Sequence, residues 1–403
     1  MEVFKQLYDM TALGPIGDNP GVLLMIVIGA LLLYLGIVKK YEPLLLVPIG
    51  FGVILANLPG GNMGVVAAEM VELPDHRYLN LFEIASEYGI MNFIYYSLIK
   101  TGFLPPIIFM GVGALTDFGP MLRNLRLAFF GAAAQIGIFG VFFGAMALGF
   151  TPKEAGSLGI IGGADGPTAI YTTIMLAPHL LGPIAIAAYS YMALVPVIVP
   201  LVANRFISKK EFGIHMKKQD KLYPPKYKIK NIKAVKIIFP IVLGVVVAIL
   251  VPSSVPLLGM LLFGNLIKEI GTATQRLSDA ATGPIMNTAT IFLGLSVGAT
   301  MTAEVFLDLK TLGIIVGGFL AFAISIAGGI TAVKVYNLFS KKKINPLIGA
   351  TGLSAVPMAS RVANELGLKH DGSNHLLQYC MASNISGVIG SAVAAGVLIS
   401  LLG

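Results

Sequence analysis

No charged residue interrupts the chain across 127–150, and apolar windows of similar length recur at 21–38, 181–203, 311–333 and 376–402. A helix rises 1.5 Å per residue, so about 20 such residues cross a hydrocarbon layer about 30 Å thick. Inside that layer every backbone N–H and C=O must find a partner within the protein, which leaves helices as the fold for windows of this length. Shorter or proline-interrupted windows lie at 43–58, 103–115, 237–252, 255–267 and 285–299. The stretch 79–99, with Glu83 and Glu87 among aromatics, reads as an amphipathic or interfacial helix that need not span. The expected fold is an all-α polytopic membrane protein of about 9–11 transmembrane helices.

Composition agrees. Only 12% of the 403 residues are charged and 56% are hydrophobic, whereas a soluble domain carries about 25% charge. That excludes a soluble enzyme, a nucleic-acid binder and a disordered chain. Cys380 is the single cysteine, which excludes a disulfide framework or thiolate metal site. His76, His179, His215, His370 and His375 are scattered, with no metal-ligand pair at i, i+4. The start, MEVFKQLYDM, lacks the basic stretch and nearby cleavage site of a signal peptide, so the first apolar run is expected to remain as a helix.

The net charge of +8 is concentrated in one place. Between Arg205 and Lys236 stand eleven Lys and Arg against two acids, Glu211 and Asp220, so the rest of the chain is nearly neutral. The positive-inside rule puts segment 204–236 in the cytoplasm, as a topology determinant or a docking surface for a soluble partner.

The chain also resembles itself. The run 161–170, IGGADGPTAI, aligns with 348–356, IGATGLSAV, across a one-residue gap opposite Asp165. Upstream, 108–111 (IFMG) pairs with 291–294 (IFLG), and long apolar windows sit at matching places in both halves. The expected organisation is an N-terminal region 1–102, a first repeat 103–203 with a broken segment 156–178, the basic loop 204–236, and further helices with a second repeat over 237–403, broken at 345–372. Arg123 and Arg126 before one window, and Lys341–Lys343 after another, orient the two halves oppositely and put the C-terminus outside. Inverted halves, each with a broken or re-entrant Gly-rich segment, mark alternating-access transporters.

The breaks carry the chemistry. In 159–173, GIIGGADGPTAIYTT, the residues Gly162, Gly163, Gly166 and Pro167 interrupt the helical hydrogen-bond ladder. Asp165 sits at the interruption, where a carboxylate costs about 2.5–3.5 kcal/mol on insertion scales if charged at mid-membrane. With freed carbonyls and the Thr168 hydroxyl it forms a hard-oxygen set suited to a small hard cation. The second break offers Asn345, Thr351 and Ser354 as neutral oxygen donors and Gly349, Gly352 and Pro357 as breakers, with no acid. One carboxylate balances one monovalent cation or one proton, so Na⁺ and H⁺ can compete at one site. Arg361 follows as either a positive-inside anchor or a group that captures an anion. Tyr189 and Tyr191 read as interfacial or core aromatics or as site residues. Gly294–Gly298 fits G-x-S-x-G but lacks the strand–turn–helix context of a nucleophile elbow, and no lysine makes 159–168 a P-loop.

Three stretches, GIIGGADGPTAIYTT, NPLIGATGLSAVPMASRVAN and SNISGVIGSAVAAGVL, together with IFLGLSVGATMTAEVFL, closely resemble the β subunit of biotin-dependent sodium-translocating decarboxylases. The likeness runs from about residue 20 to the end. It implies a membrane subunit that decarboxylates carboxybiotin, consumes an external proton and exports Na⁺. The family's intramembrane aspartate falls on Asp165, and its essential polar residues on Asn345, Gly349, Ser354 and Arg361, with Tyr191 and Asn384 as further matches. On that likeness Asp165, Thr168, Asn345, Gly349, Ser354 and Asn384 would surround Na⁺, and Tyr191 and Arg361 would meet carboxybiotin. Its partners would be a cytoplasmic carboxyltransferase (α) subunit, a biotin carrier and a small single-span γ-type membrane subunit, in a bacterial inner membrane, with a homo-oligomer also open. The chain has no Met-Lys-Met biotin site (Met216-Lys217-Lys218 does not match), so biotin would arrive on another polypeptide. The competing reading is a stand-alone sodium-coupled transporter of a small carboxylate.

Overall fold

The structure is a computed structural model that describes residues 19–66, 70–71, 79–224, 229–307, 309–355 and 358–403. The extreme N-terminus and Pro357, read above as a breaker, lie outside the described residues. Among those described there is no strand. Among the described residues seven helices are long and apolar enough to span a membrane, or nine when each of two sharply bent pairs is taken as one span. The expected count of nine to eleven is met at its lower edge, and by way of the bent pairs.

Two helices open the chain, α1 (Pro20–Ile37) and α2 (Pro43–Ala56). Stretch 79–99, left ambiguous by its glutamates, forms α3 (Leu81–Ile94) with a π-helical continuation through Ile99, and meets α4 (Leu104–Leu115) at 68°. Asn80 caps α3, accepting from the N–H of Phe82 and of Glu83, both at 3.0 Å, while Glu83 returns a bond to the Asn80 N–H at 2.8 Å. Glu83 therefore closes a capping box at the helix start.

The window at 127–150 folds as α5 (Leu125–Ala134) and α6 (Ile136–Ala147), interrupted at Gln135. The first broken segment follows as α7 (Pro152–Gly159), a 3₁₀ turn (Ile160–Gly163) and α8 (Gly166–Leu176). The window at 181–203 becomes α9 (Leu181–Ala193) and α10 (Val195–Phe206), a pair bent by 69°. After the basic segment come α11 (Ile232–Leu250), α12 (Val255–Ile270), α13 (Met286–Ala299) and α14 (Leu309–Phe339). The second break is a 3₁₀ turn (Pro346–Thr351), irregular backbone through Ala355, and α15 (Met358–His370); α16 (Leu377–Leu402) closes the chain.

Helices α1, α2 and α13 pack together with one face of α4 around Met25, Ile49, Val53 and Leu293. A larger core joins α5–α10 to α14–α16 and contains both breaks. Within it α5 lies on α16, and α14 lies on the 3₁₀ turn of the second break. The latter contact is backbone to backbone: a methyl group added to Gly349 would overlap the Gly329 carbonyl oxygen, and the reverse holds for Gly329. Glycine at both positions lets two membrane elements touch without intervening side chains.

The basic segment is not a free loop. It makes two short helical turns, Lys209–Phe212 and Met216–Leu222, and folds against the second break. Phe212 stacks on His370 with ring centroids 4.0 Å apart. Asp220 accepts from Lys342 and from the Tyr379 hydroxyl, each at 2.6 Å. Glu211 pairs with Lys334 at 3.3 Å.

Candidate functional site

Asp165 is the N-cap of α8. Its Oδ1 accepts the Thr168 N–H at 3.1 Å, and Pro167, which has no N–H to satisfy, stands in the first turn. Ala164 just before it takes a left-handed conformation (φ 54°), which turns the chain out of the 3₁₀ turn and into α8. A carboxylate at a helix N-terminus lies at the positive end of the helix dipole and satisfies a free N–H. The local sequence thus explains how an acid that is 4% exposed is held in the protein interior.

Its other oxygen joins the two halves of the chain. Oδ2 accepts from Ser354 Oγ at 2.7 Å and from Ser391 Oγ at 2.7 Å. Ser354 belongs to the second break, Ser391 to α16. The breaks also meet directly, with the Ser354 N–H donating to the Gly163 carbonyl at 3.0 Å. Asn384 on α16 braces the second break, its amide donating to the carbonyls of Leu353 at 2.5 Å and Thr351 at 3.2 Å. Gln135, at the α5–α6 interruption, donates to the Gly352 carbonyl at 2.9 Å. One carboxylate is therefore the meeting point of both broken segments and the last helix.

Several oxygens around this point lack partners. Thr168 Oγ1, Asn384 Oδ1, Gln135 Oε1 and the Tyr189 hydroxyl are buried without a hydrogen bond. A methyl at Gly163 would come within 3.2 Å of Ser391 Cβ and 3.4 Å of Gln135 Oε1, so these groups crowd the same break. Buried unpaired oxygens are costly unless something fills their lone pairs. Among the described residues no three His, Cys, Asp or Glu side chains come together. The local chemistry is one carboxylate amid neutral oxygens, which suits a monovalent hard cation as cargo.

The residues expected from sequence do not all lie at this point. Asp165, Thr168, Ser354 and Asn384 come together, the last through residues 351–353. Asn345 does not: it caps the 3₁₀ turn of the second break and spends its amide on the carbonyls of Phe212 and Ile214, each at 3.0 Å, clasping the basic segment. Gly349 contributes its close contact with Gly329. Tyr191 donates its hydroxyl to the Ile315 carbonyl and lies edge-on to Phe319, holding α9 against α14. Its neighbour Tyr189 lies nearer the acid, with its ring against Gly166, the residue that follows Asp165. Successive turns of 100° separate residues i and i+2 by 200°, so the two tyrosines face opposite ways. Arg361 stands exposed on the first turn of α15.

Sequence reasoning missed Ser391 and Gln135, and it left Tyr189 open between a core aromatic and a site residue. For Ser391 a signal existed: it follows Asn384 by seven residues on a continuous helix, and so shares its face. Gln135 was a lone polar residue in a long apolar window, which in a membrane marks an interior position.

Comparison with known proteins agrees with this architecture. The family model of the Na⁺-transporting oxaloacetate decarboxylase beta subunit matches residues 21–402. The chain is 48% identical to the methylmalonyl-CoA decarboxylase subunit beta of Propionigenium modestum over the whole of both chains. It is 46% identical to that of Veillonella parvula, covering 96% of this chain and 95% of the relative. To the oxaloacetate decarboxylase beta chain of Klebsiella pneumoniae it is 44% identical over 96% of each. With the match spanning both breaks and the last helix, the chain belongs to the family of the Na⁺-transporting oxaloacetate decarboxylase beta subunit and is a multi-pass membrane subunit of a decarboxylase.

Proposed function

We propose that Asp165 is the shared site at which Na⁺ and a proton exchange, and that decarboxylation of carboxybiotin changes the side to which this site opens. The observation that carries the reading is the single carboxylate oxygen bonded at once to Ser354 of one break and Ser391 of α16. A small relative movement of the two breaks alters the coordination of the ion directly. With Na⁺ bound, the two serine hydroxyls turn their lone pairs to the ion, and the unpaired oxygens of Thr168 and Asn384 are available to join them. With Asp165 protonated, the charge that holds Na⁺ is gone.

Carboxybiotin arrives on a separate carrier, because this chain has no biotin-attachment motif. Arg361, exposed at the start of α15, receives its carboxylate on the side of the basic segment, which the positive-inside rule assigns to the cytoplasm. The setting is a bacterial inner membrane with the C-terminus outside. The further subunits are a cytoplasmic carboxyltransferase, a biotin carrier and a single-span membrane subunit. Moving one charge against 100 mV costs about 2.3 kcal/mol, so the decarboxylation step has to gate the ion strictly. Tyr191 supports this gate by fixing α9 to α14, and the ring of Tyr189 lies against Gly166 beside the acid. The inverted repeat of 103–203 and 237–403 is supported by a break in each half and by the meeting of the two breaks at Asp165.

The test is Na⁺ uptake by proteoliposomes holding the complex that co-purifies on avidin, with oxaloacetate and methylmalonyl-CoA supplied in turn. Uptake that depends on one of these, and ceases when avidin blocks biotin, supports the reading. Uptake driven by a carboxylate gradient without biotin contradicts it.

A further inference from the structure

A cavity of about 810 Å³ opens beside the N-terminus of α5, well away from Asp165 in the sequence of elements and between α5, the end of α14 and the basic segment. Its walls carry four cationic side chains, Arg123, Arg126, Lys341 and Lys342, against one carboxylate, Asp220. Lys342 is already committed to Asp220. Arg123, Arg126 and Lys341 are exposed and make no ion pair among the described residues. No acid stands in the first turn of α5, where Arg126 lies and where the helix dipole already disfavours a cation. The gathered charge repels itself unless an anion fills the space.

The surroundings say which anion. From the mouth of the cavity Leu125, Phe129, Ile136 and Phe143 run along one face of α5 and α6, each 64–67% exposed. The 18 residue steps from Leu125 to Phe143 rise about 27 Å along the helix, close to the thickness of a hydrocarbon core. This is a lipid-facing stripe that ends in a basic cavity at the membrane surface. We infer that the cavity holds the phosphate of an anionic phospholipid whose acyl chains lie along that stripe. The cations favour a headgroup of net negative charge over a zwitterionic one, whose ammonium they repel. The cavity wall includes Asp220 and Tyr379, whose bond ties the basic segment, itself folded against the second break, to the start of α16. A bound anionic lipid therefore reinforces the contact between that segment and the break.

Native mass spectrometry of the delipidated complex tests this, with phosphatidylglycerol, phosphatidylcholine of the same acyl chains, and inorganic phosphate as probes. Phosphatidylglycerol is expected to bind at least tenfold more tightly than phosphatidylcholine, and excess inorganic phosphate is expected not to displace it. Changing Arg123, Arg126 and Lys341 to Gln together should weaken it about fivefold per cation. The exposed Lys209 and Lys210, which do not line the cavity, provide the charge control, and Lys209→Gln with Lys210→Gln should leave binding unchanged. Should the triple variant fail to assemble, Arg126→Gln alone should still show about a fivefold loss. Equal binding of the two lipids, displacement by inorganic phosphate, or an unaffected Arg126→Gln variant would overturn the assignment.

Discussion

Ser391 and Ser354 donate to the same oxygen of Asp165, yet they come from elements that the sequence separates widely. A hydrogen bond to a charged group is worth about 1.5–3 kcal/mol. Ser391→Ala should therefore raise the Na⁺ concentration for half-maximal decarboxylation by roughly ten- to a hundredfold. Carboxyl transfer to biotin should be unchanged, and both rates can be read from the same complex. Competition between ions makes a second prediction. Once Asp165 begins to protonate, half-saturation by Na⁺ should rise toward a limit of about tenfold per pH unit, since each unit is one factor of ten in proton activity. A Na⁺ requirement that does not move with pH would separate the two ions. The acid itself was legible in the sequence, because Gly162, Gly163, Gly166 and Pro167 announce a break and Asp165 stands alone there. Ser391 was not read, because its contact spans more than two hundred residues and a serine in a membrane helix usually bonds its own backbone.

At the scale of elements, the breaks are held by two different devices. One is close packing: Gly349 touches Gly329, and no methyl group fits between the strands of backbone. Gly349→Ala has to push α14 away from the 3₁₀ turn, and overpacking of this kind costs about 1–3 kcal/mol. The expected outcome is a lower thermal midpoint for the detergent-solubilised complex, together with lost Na⁺ dependence. The other device is the clasp made by Asn345 on the carbonyls of Phe212 and Ile214. Asn345→Ala should free the basic segment, so limited trypsin digestion at its lysines should proceed faster than in the unaltered chain. An unchanged cleavage rate would show that Phe212 on His370 and the Asp220 bonds suffice. Oxygen chemistry in the sequence could not separate a Na⁺ ligand from such a clasp, since the same amide serves either. It takes the fold to show that the Asn345 amide turns to the basic segment and that of Asn384 to the second break.

Over the whole molecule, the low charge and the long apolar windows fixed the helical membrane class, and the repeat of two glycine-rich segments placed the breaks. What sequence did not convey was that the breaks touch, or that the +9 segment lies folded over one of them. Periodicity reports which face of a helix is apolar, and in a membrane both the packed and the lipid-facing sides are apolar, so tertiary neighbours leave little trace. The assembled picture is a carboxylate held by two interrupted segments and braced by α16. Its central claim is that the same carboxylate carries Na⁺ and the proton. The most direct test is radioactive Na⁺ uptake into proteoliposomes of the complete complex, comparing the unaltered chain with Asp165→Asn. The account predicts substrate-dependent uptake for the former, and for Asp165→Asn no uptake with carboxyl transfer to biotin intact. Sustained Na⁺ uptake by the Asp165→Asn complex would contradict it.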